Sequence, residues 1–176
     1  MDSEKLYGYK LLKDAYYGTG LFSVGRGLVR HPRESTPNYA FRKKLAYYLN
    51  YTGPIVNASV DPIFRDTIKR EYKDTEKFKV FLEDVDRKGT SLQEYIRQQA
   101  TLAKLYGVMY IIVNNVVEFG ESVADNIKNR ALPYLTAVEP HHITDWQFDE
   151  KGILIKFAYK DVIYDADRKK QTRYYI

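Results

Sequence analysis

The chain has 176 residues, 44% hydrophobic and 29% charged, with a net charge of +5, a sequence pI near 9.1 and no cysteine. That length fits one domain or one large piece of a longer protein, and the lack of Cys excludes disulfides, thiolate metal sites and cysteine nucleophiles. No apolar run approaches the roughly 20 residues that span a bilayer, and the polar start MDSEK is unlike a signal peptide, so the expectation is a cytoplasmic protein without membrane contact. The charge favours contact with polyanions but forms no basic tail. The compositional outlier is 17 Tyr, a residue that packs its ring and keeps its hydroxyl for a partner.

In chain order, Lys5 to Tyr17 reads as a short helix, after which Gly18, Gly20, Gly25 and Gly27 break any pattern. The run GTGLFSVGRG matches neither G-x-G-x-x-G nor G-x-x-x-x-G-K-[ST], and no strand is predicted before it, so a turn or arm is expected there and not a phosphate loop. Residues 1–30 are therefore taken as an N-terminal arm or extension. Ser35 or Thr36 caps the next helix with Pro37 in its first turn, and Phe41, Leu45, Tyr48 and Leu49 keep one face as far as Asn50. A second helix restarts at Pro54, carries Ile55, Val56, Ser59, Val60 and Ile63, and ends or bends at Pro62. Arg65 to Lys73 is either a short strand or a loop.

Asp74 or Thr75 caps a further amphipathic helix whose stripe is Phe78, Phe81, Leu82 and Val85. Glu83, Asp84 and Asp86 cluster at its end. Such carboxylates serve acid-base chemistry or a hard metal, but Arg87 and Lys88 follow at once and the alternating oxygen pattern of a calcium loop is missing. The strongest helix signal comes next. Leu92, Tyr95, Ile96, Gln99, Leu102, Ala103 and Tyr106 share one face, Ser91 and Glu94 have capping-box spacing, and Gly107 closes the helix. Val108 to Val113 is apolar throughout and predicts a strand buried on both faces.

Asn114 to Arg130 is polar and aperiodic, a loop. Leu132 to Val138 reads as a strand stopped by Glu139-Pro140. His141 and His142 are adjacent, with Asp145 as the only further ligand nearby, which describes a turn better than a metal site. Trp146 to Phe148, the turn Asp149 to Gly152 and Ile153 to Tyr159 predict a hairpin, and Val162 to Tyr164 and Thr172 to Ile176 flank a polar turn at 165–170. The ending YYI reads as a strand still running, and so as a fragment. The expected fold class is α+β: amphipathic helices packed on a small mixed or antiparallel sheet with a C-terminal β-hairpin, spanning 31–176 and truncated at its C-terminal end.

The series RHPRES, YTGPIVNASVDPIF, FLEDVDRKGTSLQEYIRQQATLAKLYGVMYIIV and LPYLTAVEPHHITDW resembles the N-terminal half of portal proteins of tailed bacteriophages and prophages. The anchors are E-D-V-D-R-x-G-T-S-L-x-E at Glu83 to Glu94, the G-x-x-x-x-x-V strand at Gly107 to Val113, and Tyr134 to Trp146. The resemblance runs from about Arg30 to Trp146 and rests on structural motifs. It implies a wing-like part of a subunit that forms a dodecameric ring at the capsid vertex, a structural channel for double-stranded DNA packaging and ejection. Its implied partners are other copies of itself, the large terminase, capsid and head-completion proteins, and DNA without sequence preference. It implies a place in the virion and, during assembly, in the host bacterial cytoplasm, with no enzymatic activity, cofactor or metal.

Arg26, Arg30, Arg33, Arg42, Lys43 and Lys44 are the densest basic stretch, a candidate for phosphate or subunit contacts against the plainer reading of a solvated face. Two alternatives stand beside the portal reading. One is a phage-derived capsid or adaptor-type interaction module that contacts no DNA; the other is a hydrolase using His141, His142, Asp145 and Glu139.

Overall fold

A computed structural model gives the fold and describes residues 3–23, 25–72, 76–115, 122, 125–126, 131–164 and 170–175, with those from 161 onward described by their backbone. The predicted cap at Asp74 or Thr75, most of the loop at 114–130 and the centre of the turn at 165–170 lie outside the described residues. The chain divides into two compact units, Met1–Ser59 and Val60–Ile176. The first of these units holds the first thirty residues together with the helices that follow them.

The first unit contains α1 (Ser3–Tyr17), α2 (Thr36–Leu45) and α3 (Thr52–Val60), the last running into the junction. Its tyrosines use both of their ends. The Tyr16 hydroxyl donates to Asn57 Oδ1 at 2.8 Å, Tyr39 donates to the Leu28 carbonyl at 2.9 Å, and the Tyr48 ring packs on Phe22 with centroids 4.7 Å apart. Asn50 ties α1 to α3, donating to the Tyr16 carbonyl at 2.7 Å and accepting from the Gly53 N–H at 3.0 Å. That use of Asn50 explains why α2 stops at Leu45, with Ala46 extended, instead of continuing to Asn50 as its apolar spacing predicts. A free N–H in the first turn of α3 needs an acceptor, and Asn50 supplies it only from outside a helix.

Within the glycine-rich run, Gly25 has φ of 64° and is buried, and a Cβ there would run into the Lys43 carbonyl. Gly25 serves close packing on α2, whereas Gly20 and Gly27 lie against Asp14 and Leu21. Yet α2 has no buried residue, and Phe41 and Leu45 are 65% and 63% exposed. Of the predicted face, only Tyr48 packs within the chain, on Phe22, while Phe41, Leu45 and Leu49 stay exposed.

In the second unit, α4 (Glu76–Glu83) and α5 (Leu92–Tyr106) pack on each other, preceded by a 3-10 turn at Asp61–Phe64 and by irregular backbone through Tyr72. α5 has the predicted boundaries: Ser91 Oγ accepts from the Glu94 N–H, and Gly107 closes the helix with φ of 82°. Between the helices, residues 84–90 form a tight turn with Arg87 and Gly89 at φ of 62° and 86°. Asp84 accepts from the Gly89 N–H, and Asp86 accepts from the Lys88 N–H and the Thr90 hydroxyl. At its centre Val85 is fully buried; its N–H donates to the Thr90 carbonyl and its carbonyl accepts from the Leu135 N–H at 2.7 Å.

The strands form two antiparallel sheets. β1 (Tyr110–Asn114) pairs with β2 (Tyr134–Val138), placing Ile112 opposite Thr136. β3 (Ile143–Phe148), β4 (Leu154–Tyr164) and β5 (Lys170–Tyr175) follow as a meander, with Asp149 closing the predicted hairpin by accepting from the Lys151 and Ile153 N–H groups. The α+β class therefore holds. The expectation for β1 does not: its burial alternates, with Ile111 45% and Val113 70% exposed, because a two-stranded ribbon is covered on one face only.

Val85→Ala removes two methyl groups from a closed site and is expected to lower stability by about 2 kcal/mol. Gly107→Ala, with open space around the new methyl but a left-handed backbone, is expected to cost about 1 kcal/mol. Urea unfolding followed by circular dichroism measures both.

Candidate functional site

The six basic residues predicted as a group lie in the first unit, but they do not share one role. Arg42 forms a bidentate pair with Glu34, at 2.9 Å from Nε and 2.7 Å from Nη2, and also reaches the Val29 carbonyl. The Arg42 hydrogen bond holds the Glu34 carboxyl below its ordinary range, and the same pairing holds Arg42 protonated still more firmly. Arg30 binds the Glu34 carbonyl through Nε and Nη2. Arg42 therefore ties the segment 29–34 to α2, while Arg30 closes that segment on itself. Arg26, Arg33, Lys43 and Lys44 have exposed side chains, and Lys43 and Lys44 add favourable positive charge to the last turn of α2.

Of the carboxylates at 83–86, Asp84 and Asp86 are spent on the turn, as described above. The histidines sit in a 3-10 turn at Pro140–His142, their rings 4.2 Å apart, with His141 Nδ1 3.7 Å from Glu139 Oε2. Glu139 also accepts from the Tyr106 hydroxyl at 2.7 Å. Asp145 is held by Lys156 at 2.8 Å, whose hydrogen bond draws its carboxyl below the ordinary value. Among the described residues no three His, Asp or Glu gather where a metal ion could be held.

A different site emerges between α5, the 84–90 turn and the β1–β2 ribbon: a cavity of about 580 Å³ in the second unit. Tyr95 and Gln99, four apart on α5, both line it and are only 4% and 8% exposed. Tyr95 Oη and Gln99 Oε1 are buried without a hydrogen-bond partner among the described residues. Across from them, Asn114 Nδ2 donates to Thr136 Oγ1 at 2.7 Å, and Asp86, Lys88, Glu139 and Lys160 bring two charges of each sign. Burial pushes the Tyr95 phenol up to about 12, with the Asp86 charge adding to the shift, so its proton stays in place. For Asp86, burial acts upward, but the bonds from the Lys88 N–H and from Thr90 outweigh it and leave the carboxyl below its ordinary value.

Neither a family model nor a curated protein matches this chain. The cavity is consequently described from its own chemistry. Sequence spacing places Tyr95 and Gln99 on the buried face of α5 but does not reveal the cavity opposite them. The available signal was Gln99 itself, an uncharged polar residue inside an otherwise apolar and aromatic stripe, where a hydrogen-bond partner is owed.

Tyr95→Phe deletes an unsatisfied buried hydroxyl and is expected to raise stability by about 1 kcal/mol in urea unfolding. The pH dependence has a definite sign. Because the folded carboxyl of Asp86 titrates below its unfolded value of about 3.9, its contribution is complete above that pH and is lost as pH falls through the folded value. Asp86→Asn is therefore expected to flatten the loss of stability as pH falls below about 4 in acid titrations followed by circular dichroism.

Proposed function

We propose that this chain is a structural subunit of a tailed-phage portal ring, part of the capsid-vertex channel through which double-stranded DNA is packaged and ejected. The reading is carried by one observation: Glu83 to Glu94, Gly107 to Val113 and Tyr134 to Trp146 carry the portal-like motifs, and the first and last of these are tied together by the Leu135-to-Val85 hydrogen bond. The portal-like residues thus act together as one structural knot in the second unit. In this reading the partners are further copies of the chain, the large terminase, capsid and head-completion proteins, and DNA contacted without sequence preference. The protein works as a scaffold without catalysis or cofactor, in the host cytoplasm during assembly and then in the virion.

Exposed apolar side chains on and after α2 support assembly. Phe41, Leu45, Leu49 and Ile55, with Tyr47 and Tyr51, all remain exposed in the isolated chain. Grouped apolar exposure on this scale is what subunit contacts remove from water. The same feature would serve the interaction-module alternative, which differs in having no DNA contact.

The first test is the mass of the full-length gene product by light scattering with negative-stain microscopy. Rings of many subunits are expected; a monomer at every protein and salt concentration overturns the portal reading. For DNA, Arg26, Arg33, Lys43 and Lys44 are the candidate phosphate contacts, being the exposed members of the basic group that Glu34 does not engage. Alanine at all four should lower the salt dependence of duplex binding by about 0.9 in log–log slope for each lost phosphate contact. An unchanged slope assigns these side chains to the protein surface alone.

A further inference from the structure

Buried polar atoms in folded proteins are paired with very few exceptions, and each exception asks what would satisfy it. Two occur one helical turn apart here, Tyr95 Oη and Gln99 Oε1, on residues that line one cavity. Their spacing of four on α5 stacks them on one helix face. Gln99 Oε1 can only accept. The Tyr95 hydroxyl both donates and accepts, and it keeps its proton across the whole neutral range. A single hydroxyl group answers both at once, accepting from Tyr95 and donating to Gln99. Both atoms are closed to solvent in the free chain, so binding requires the two side chains to turn toward the cavity.

The rest of the lining narrows the chemistry. Asp86 and Glu139 are balanced by Lys88 and Lys160, with His142 counted as neutral, so the cavity has no net charge with which to select an ion. Asn114, Gln98 and Thr136 add uncharged groups that both donate and accept, and the rings of Tyr134 and Tyr159 supply flat apolar surface beside them. At about 580 Å³ the space is in the range of small-molecule sites. We infer that the cavity between α5 and the β1–β2 ribbon binds an uncharged, hydroxyl-rich small molecule of the polyol or monosaccharide class, held by Tyr95 and Gln99. This site is independent of the portal reading, since it rests on the second unit's own packing and requires no ring.

The test is saturation-transfer NMR on the intact chain with glycerol, D-glucose, D-galactose and N-acetylglucosamine, with citrate and spermidine as charged comparators. At least one neutral probe is expected to bind in the millimolar range or tighter. Tyr95→Phe and Gln99→Leu should each weaken it about tenfold, as loss of one hydrogen bond does. Circular dichroism checks that both variants keep their fold, and Tyr95→Phe serves alone if Gln99→Leu does not. The inference is overturned if no neutral probe receives saturation, if binding is unchanged in the folded variants, or if citrate or spermidine binds more tightly than every neutral probe. Ring formation, read separately by light scattering, can fail or succeed without altering any of these outcomes.

Discussion

The second unit depends on how the chain accommodates Val85. Its side chain is sealed from solvent, and its two backbone groups reach in opposite directions, one closing the turn to Thr90 and the other joining β2 at Leu135. A carbonyl that accepts from a residue fifty positions away fixes a local turn to a distant strand. Everything downstream inherits that placement: Ser91 begins α5 one residue after the turn, and α5 then holds Tyr95 and Gln99 against the ribbon that contains Leu135. The left-handed backbone at Arg87, uncommon for a non-glycine residue, is retained because the carboxylates of Asp84 and Asp86 bind the surrounding N–H groups. The acidic cluster is thus a folding device that resembles a catalytic one by composition.

The two units are built on different physics. The second has buried apolar residues at Val85, Tyr95, Leu105, Tyr106 and Val138, arranged by an amphipathic helix and by strand pairing. The first relies on tyrosine rings and on hydrogen bonds that span the segment, with Asn50 serving two elements at once. A unit of that kind gains specificity from directional contacts while leaving much of its apolar area in water. Such a surface suits a protein whose final environment includes neighbours.

Local signals were legible where they are self-contained. Ser91 and Gly107 mark α5 because caps act within four residues, and Asp149 and Gly152 mark the hairpin for the same reason. The sequence was misleading where the outcome depends on distant chain. Nothing in Val108 to Val113 says that only one side of the strand will be covered, and nothing in the Tyr48 to Asn50 stretch says that Asn50 will be claimed by Tyr16 and Gly53. The basic cluster shows the same limit: six cations look equivalent in sequence, yet Glu34 takes Arg30 and Arg42 and leaves the others exposed. The cavity was the least legible feature, because orphaned atoms can be recognised only when every neighbour is in place.

The chain has a single tryptophan, Trp146, on β3 in the second unit and 48% exposed, while its tyrosines are spread over both units. Indole emission is therefore a local reporter placed in the three-stranded sheet of the second unit. Tyrosine absorbance reports on both. Two optical signals from unmodified protein thus separate the histories of the two units, and the order in which each yields to denaturant can be read without a label.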